Sequence, residues 1–100
     1  MSTCTAPDHP DCTIDCDNGC YAVYWEPDGP CDTGCSDQLK KLKFKTDSRI
    51  SICLRDISAS TLGSLFEELS NVSSSDKKIS LTMKNASRSE LLDRVRKAIS

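Results

Sequence analysis

The first 38 residues contain neither lysine nor arginine, although they contain eight aspartate and glutamate side chains. All thirteen basic residues follow this segment, accompanied by seven acidic ones. The prolines divide in the same way, because all four lie in the first 38 residues together with three of the four glycines. These shifts predict a boundary near residues 36–39, between an acidic module at 1–38 and a second domain at 39–100. Their opposite charges favour docking of the two parts.

The chain also lacks a long apolar run. No stretch approaches the roughly 18 residues that a membrane-spanning helix requires, and the first residues have neither the basic start nor the apolar centre of a signal peptide. We therefore predict a cytoplasmic protein without a membrane segment. Disulfide bonds would change this expectation to a periplasmic or secreted protein, because reducing compartments favour metal thiolates whereas oxidising ones favour disulfides.

Apolar side chains are scarce in residues 1–38. Apart from cysteine, this segment offers only Met1, Ala6, Ile14 and the run Tyr21–Trp25. Segments shorter than about 40 residues seldom fold by hydrophobic burial alone, and they usually need a metal, disulfides or a partner. The cysteines of this segment are therefore expected to cross-link it.

A five-residue phrase, Cys-Asp-x-Gly-Cys, occurs twice, at residues 16–20 and 31–35. A glycine at its fourth position can adopt a left-handed conformation that folds the chain back and brings the flanking thiols together. We therefore predict four thiolates that converge on one structural zinc ion, since Zn²⁺ accepts four sulfur ligands in a tetrahedron. The predicted ligands are Cys16, Cys20, Cys31 and Cys35, and the candidate additional ligands are Cys12, Cys4 and His9.

The same thiols fit two other chemistries. Six cysteines can form three disulfides in fifteen connectivities, and an iron–sulfur cluster or free redox-active thiols are the third alternative. The eight carboxylates of the segment disfavour a metal, because they add like charge to an anionic thiolate site. The seventh cysteine, Cys53, lies far from the repeated phrase, and we expect it to be a half-buried structural thiol.

An aromatic segment separates the two phrases. Cys20–Glu26 is predicted to be a short strand and residues 27–30 a tight turn, because Pro-Asp-Gly-Pro is typical of turns. Tyr21, Tyr24 and Trp25 contribute three of the five aromatic rings of the chain. They are candidates for the small core of the first module and, alternatively, for a surface that recognises another protein.

Regular periodicity replaces the turn residues in the second domain. Residues 49–55 alternate in polarity as a strand with one buried face does, and Ser58 is the predicted cap of an amphipathic helix. The same pattern returns at an offset of 29, with a strand over residues 78–84 and a capping serine at Ser87. The sequence therefore predicts one βα unit that is used twice.

Two βα units in succession favour parallel central strands that are joined by a right-handed crossover. Two strands make a poor sheet, so we expect further strands from residues 44–46 or 21–26. Residues 71–76 are predicted to be a polar loop, and residues 38–44 fit either a helical turn or a lead-in strand. The predicted class is α+β: a small two-layer βαβα domain preceded by a cysteine-stabilised, loop-rich N-terminal knuckle.

A family resemblance accompanies this pattern. The run Ile-Ser-Leu-Thr-Met-Lys-Asn-Ala-Ser that begins at Ile79, the Glu-Leu-Leu that begins at Glu90, and their counterpart over residues 50–69 resemble the short N-terminal domain shared by secretins and TonB-dependent transporters. The similarity covers residues 49–99. It implies a βα-repeat module that works by protein–protein contact in the periplasm. The chain departs from that family in lacking a long apolar strand between its first helix and Lys78.

Motifs of catalysis are scarce. The chain has no Cys-x-x-Cys, no glycine-rich phosphate loop and a single histidine. We therefore predict that the protein is not an enzyme but an interaction or adaptor module that contacts another protein. The sequence does not indicate its oligomeric state. The alternatives are a disulfide-stabilised secreted or periplasmic binding domain and a small nucleic-acid-binding protein. The nucleic-acid alternative depends on a basic patch around Phe44, formed by Lys40, Lys41, Lys43 and Lys45.

Overall fold

The computed structural model describes residues 1–44, 47–69 and 77–99, and it has the predicted α+β class. In the described part of the chain, four strands form a sheet in the order β4–β3–β5–β6, and two short strands form a separate hairpin. Every strand pair is antiparallel. The strands are β1 (Ser2–Thr5), β2 (Thr13–Cys16), β3 (Cys20–Glu26), β4 (Cys31–Cys35), β5 (Arg49–Ser58) and β6 (Lys78–Ser87), the α-helices are α1 (Ala59–Leu65) and α2 (Arg88–Ile99), and short 3₁₀ helices lie at Ser36–Lys41 and Glu67–Leu69.

The main sheet is buried on both faces. One face packs against α1, α2 and the 3₁₀ helix Ser36–Lys41, and it contains the apolar residues that the alternation of β5 predicted. The opposite face is covered by the β1–β2 hairpin, so that Ser51 and Cys53 of β5 are 0% and 3% exposed. The alternation of β5 predicted that these two residues face solvent. That prediction is wrong, because the alternation carries no signal of a second layer on that side of the sheet.

The predicted repeat is confirmed in the two long strands. β5 and β6 each have ten residues and begin 29 positions apart. Asp56 and Asn85 occupy equivalent positions, and both have left-handed backbones, with φ of 55° and 49°. Each strand ends at a serine that caps the following helix. The backbone N–H of Thr61 donates to Ser58 Oγ at 3.2 Å, and that of Glu90 donates to Ser87 Oγ at 3.2 Å.

The prediction of parallel central strands is wrong, because β5 and β6 pair antiparallel with Ser58 opposite Lys78. A parallel crossover would have to return along a ten-residue strand, which spans about 33 Å. α1 has only seven residues and therefore spans about 10 Å. The helix ends at an extended Phe66. β6 begins at Lys78, opposite Ser58, so it starts at the end of the sheet where β5 finishes.

The main sheet contains strands from both predicted segments. β3 and β4 precede the boundary at residues 38 and 39, whereas β5 and β6 follow it, and β3 pairs with β5 from Cys20 to Glu26. The expectation that residues 21–26 complete the sheet is confirmed. Separate folding of the two segments stays a prediction. The pairing of β3 with β5 argues against it, because one sheet contains strands of both segments. The predicted loop at 71–76 and most of the alternative strand at 44–46 lie outside the described residues.

The repeated Cys-Asp-x-Gly-Cys phrase has two different structures. Gly19 lies between β2 and β3 with φ of 84°, as a left-handed turn requires. Gly34 lies inside β4, opposite Tyr21, and a Cβ on it would be 2.5 Å from Tyr21 Oη. The prediction of a left-handed turn is therefore right for the first copy and wrong for the second, where glycine leaves room for the ring on the neighbouring strand.

Gly34→Ala should destabilise the fold by about 1–3 kcal/mol, because the new methyl group would displace the Tyr21 ring from its packed position. Gly63→Ala is the matched control, since its Cβ would lie 3.4 Å from the nearest atom, Leu69 O, and alanine favours a helix by about 0.5–1 kcal/mol over glycine. Chemical denaturation measures both. Equal stability of Gly34→Ala and the wild type would contradict the packing role of Gly34.

Candidate functional site

Three disulfide bonds join the β1–β2 hairpin to the main sheet. In each bond one cysteine belongs to the hairpin segment and the other to β3 or β4, so the hairpin is attached to the sheet at three points. The Cα atoms of each pair are 5.7 to 5.9 Å apart, within the usual range for a disulfide. The bonded pairs are Cys4–Cys20, Cys12–Cys31 and Cys16–Cys35.

This connectivity favours the disulfide alternative over the predicted zinc centre. The four cysteines of the repeated phrase are distributed over three disulfides, and the two candidate additional thiols are the partners of Cys20 and Cys31. Disulfide sulfurs do not supply the thiolates that zinc binds. Within residues 1–44, 47–69 and 77–99, no three His, Cys, Asp or Glu side chains form a group that could hold a metal ion.

The antiparallel pairing of β3 and β4 explains why the sulfurs do not converge. Cys20 is opposite Cys35, whereas Cys31 lies opposite Tyr24 near the other end of the ladder. The phrase at 31–35 is an extended strand, so its two cysteines are separated along β4 by about 13 Å. Three hairpin cysteines meet these separated sites, and each pair closes on its own.

The disulfides replace an apolar core on this side of the sheet. The cluster beneath the hairpin consists mainly of cysteines and two alanines, which is little apolar surface for a layer of its own. Each bond closes a loop of 16 to 19 residues, and closing a loop of this size stabilises a fold by about 3 kcal/mol. Cys53 is the free cysteine, and it is buried in this cluster rather than half-buried as predicted.

His9 holds the loop between β1 and β2 to the sheet. Its Nε2 is 2.9 Å from Glu26 Oε2, and its ring stacks on Tyr24 with centroids 3.5 Å apart. The hydroxyl of Ser51 donates to the same Glu26 oxygen at 2.6 Å and accepts from the backbone N–H of Asn85 at 3.2 Å. His9 therefore links the loop to the sheet through Glu26 and Tyr24.

The three aromatic residues of β3 do not form one surface. Tyr21 is buried in the core on the helix side, where its pKa is raised by burial and by the carboxylates of Asp32 and Asp37. Tyr24 lies on the hairpin side under the ring of His9. Trp25 lines a pocket on the helix side and Tyr24 lines another on the hairpin side, so these two rings face opposite sides of the sheet.

The lysines of the predicted basic patch differ in position. Lys40 and Lys41 are exposed at the end of the 3₁₀ helix, next to Leu39, which is buried. Lys43 is also exposed and lines a pocket with Trp25. Lys45 lies outside the described residues. The structure thus brings one residue of the aromatic set and one of the lysine set together.

The pocket lies at the end of β3, beside the turn that leads to β4. It has a volume of about 350 Å³, and its lining includes a tryptophan, a proline and a lysine. The indole is fixed, because Trp25 Nε1 donates to Asp32 Oδ2 at 2.8 Å and the ring packs 5.5 Å from that of Phe44. The lining residues are Trp25, Glu26, Gly29, Pro30, Lys43 and Ser48.

Sequence reasoning missed this pocket, since Trp25 and Lys43 are eighteen positions apart and lie on opposite sides of the predicted boundary. The turn at residues 27–30 is the feature of the sequence from which part of the pocket could have been predicted. A Pro-Asp-Gly-Pro turn directly after an aromatic strand places Pro30 beside Trp25, whose backbone N–H donates to the Pro30 carbonyl at 3.0 Å.

Comparison of the chain with models of protein families, with curated proteins and with solved structures found no match. Among the described residues, no helix has both the length and the apolar character needed to cross a membrane.

Stepwise reduction should open Cys12–Cys31 first, because Cys31 is exposed whereas Cys4 and Cys20 are both 0% exposed and thiol–disulfide exchange requires access to sulfur. Alkylation of the released thiols, followed by peptide mass mapping, identifies the order. Repeating the experiment in denaturant provides the control, since unfolding should remove the difference. Early reduction of Cys4–Cys20 in the native protein would contradict the observed packing of the hairpin.

The stability of the protein should fall below pH 4.5 in part through Glu26. Hydrogen bonds from Ser51 and His9 hold the Glu26 pKa below its ordinary value of 4.5, so its stabilising effect is complete above that pH and is lost as the pH falls through the lowered pKa. In thermal melts from pH 6 to pH 3, Glu26→Gln should therefore lose less stability than the wild type. Identical pH profiles would exclude this role of Glu26.

Proposed function

We propose that this chain is a disulfide-stabilised, non-catalytic binding domain that works in an oxidising compartment, the periplasm or the cell exterior, and contacts another protein. The observation that carries this proposal is the set of three disulfides, each of which joins the hairpin to the sheet. Such bonds persist in oxidising compartments, whereas cytosolic thiol pools keep cysteines reduced. This proposal replaces the expectation of a zinc-containing cytoplasmic module.

The resemblance of residues 49–99 to the short N-terminal domain of secretins and TonB-dependent transporters belongs to the same proposal, since that domain is periplasmic. The composition of the first segment also agrees with a role in which the disulfides are permanent. Without the covalent bonds, the hairpin would be held by a small cluster of cysteine side chains with Ala6 and Ile14, which is little apolar surface for a layer of its own.

The binding site of this proposal is the pocket of Trp25 and Lys43. Tryptophan and proline rings provide apolar contact area with little conformational entropy to lose, and Lys43 places one positive charge at the rim. The pocket thus fits an apolar side chain of the partner with a carboxylate close by. Among the described residues that line the pocket, Lys43 is the one cationic side chain, which is little positive charge for a polyanion such as nucleic acid.

A library of random peptides displayed on phage, screened against the oxidised protein, tests this function. Enriched peptides should combine an aromatic or aliphatic residue with an acidic one, and their synthetic forms should change the fluorescence of Trp25, the only tryptophan of the chain. Lys43→Ala should weaken binding by about tenfold, as the loss of one charged contact of roughly 1.4 kcal/mol implies.

Lys40→Ala is the matched control, since Lys40 is an exposed lysine outside the pocket. It should bind the selected peptides as the wild type does. Two results would refute the proposed site: a screen that enriches no peptides, and binding that Lys43→Ala and Lys40→Ala weaken to the same extent.

A further inference from the structure

The two repeats are related by an approximate internal two-fold axis that passes between β5 and β6. Arg49 pairs with Ser87 at one end of the ladder, and Ser58 pairs with Lys78 at the other. The side-chain bonds repeat this symmetry. Ser80 Oγ accepts from the backbone N–H of Asp56 at 3.1 Å, and Ser51 Oγ, 29 positions before Ser80, accepts from that of Asn85 at 3.2 Å.

This symmetry makes the outer edges of β5 and β6 equivalent. β3 occupies the edge of β5 as an antiparallel strand along residues 49–55. The equivalent positions on β6 are residues 78–84. In the described part of the chain no strand pairs there, because β6 is the last strand of the sheet. The repeated unit therefore offers, at its second copy, the same type of edge that accepts an antiparallel strand at its first.

The lysines of β6 do not block this edge. Natural proteins often use lysine on an edge strand to prevent pairing with another chain. Here both exposed lysines of β6 interact with the N-terminal segment on the hairpin side of the sheet. Lys84 forms an ion pair with Asp8, and Lys78 Nζ donates to Asn18 Oδ1 at 3.2 Å. Their charges are thus directed to their own chain.

A groove of about 600 Å³ runs between Met83 of β6 and α2. The residues of α2 that line it carry charge of opposite sign at its two ends. Glu90 and Asp93 lie towards the start of the helix, whereas Arg94 and Lys97 lie towards its end. When two such helices meet in opposite directions, the acidic end of each faces the basic end of the other.

We propose that the β6 edge and the α2 groove form a self-association surface whose occupant is a second copy of this chain. β6 of each copy pairs antiparallel with β6 of the other, so that two four-stranded sheets become one of eight strands. The two α2 helices then lie side by side in opposite directions. A two-fold interface requires the same surface on both copies to be self-complementary, and the charge order along α2 satisfies this requirement.

The test is sedimentation velocity over a range of protein concentrations. The wild type should shift from 11.0 kDa to twice that mass as the concentration rises. The acidic pair is reversed in Glu90→Lys/Asp93→Lys, and the basic pair is reversed in Arg94→Glu/Lys97→Glu. Each variant alone should stay at the monomer mass, because like charges would then face each other across the interface.

Mixing the two variants should restore the doubled mass, since a basic helix would face an acidic one. Restoration also shows that the variants are folded, which a loss of association alone would not. Lys40→Glu/Lys41→Glu controls for a general effect of charge and should dimerise normally. Mass spectrometry of the unreduced, denatured protein controls for a disulfide through Cys53.

Three results would overturn this proposal: a wild type that remains at 11.0 kDa at every concentration, a dimer that tolerates both charge reversals, and a mixture that stays monomeric. The result is independent of the proposed function. Lys43→Ala leaves the β6 edge unchanged, so peptide binding at the Trp25 pocket and self-association can each fail without the other.

Discussion

Three covalent bonds between the β1–β2 hairpin and the outer face of the main sheet are the constraint on which the rest of this structure depends. The hairpin contains little apolar material of its own, and the cluster beneath it consists largely of the cysteines themselves. Its removal would expose Ser51 and Cys53 and would leave the carboxylate of Glu26 without His9. The bonds therefore complete a second layer on a sheet that is otherwise covered on one side only.

The duplicated βα unit forms the centre of the main sheet and the layer on its other face. Its two strands form the antiparallel centre of the sheet, and its two helices cover the same face. The symmetry extends to single hydrogen bonds, because a serine in each strand accepts from the left-handed residue of the other strand. β3 breaks this symmetry, since it occupies the edge of the first unit only.

The repeated Cys-Asp-x-Gly-Cys phrase shows how far local sequence can specify structure. In both copies glycine is required, but for different reasons: Gly19 has a left-handed backbone, whereas Gly34 leaves room for the ring of Tyr21. The second reason comes from a residue on a neighbouring strand. A motif that repeats in sequence need not repeat in structure when its neighbours differ.

The sequence by itself determined the α+β class, the strand Cys20–Glu26, the two βα units with their serine caps, and the need for cross-links before residue 38. Each follows from periodicity or composition within a few residues. Only the tertiary structure decided the disulfide partners, the antiparallel order of β5 and β6, the burial of Ser51, and the meeting of Trp25 with Lys43. These features depend on contacts between distant segments. A cysteine or a strand carries no local signal of which partner it meets, because the choice depends on how the hairpin and the sheet are stacked.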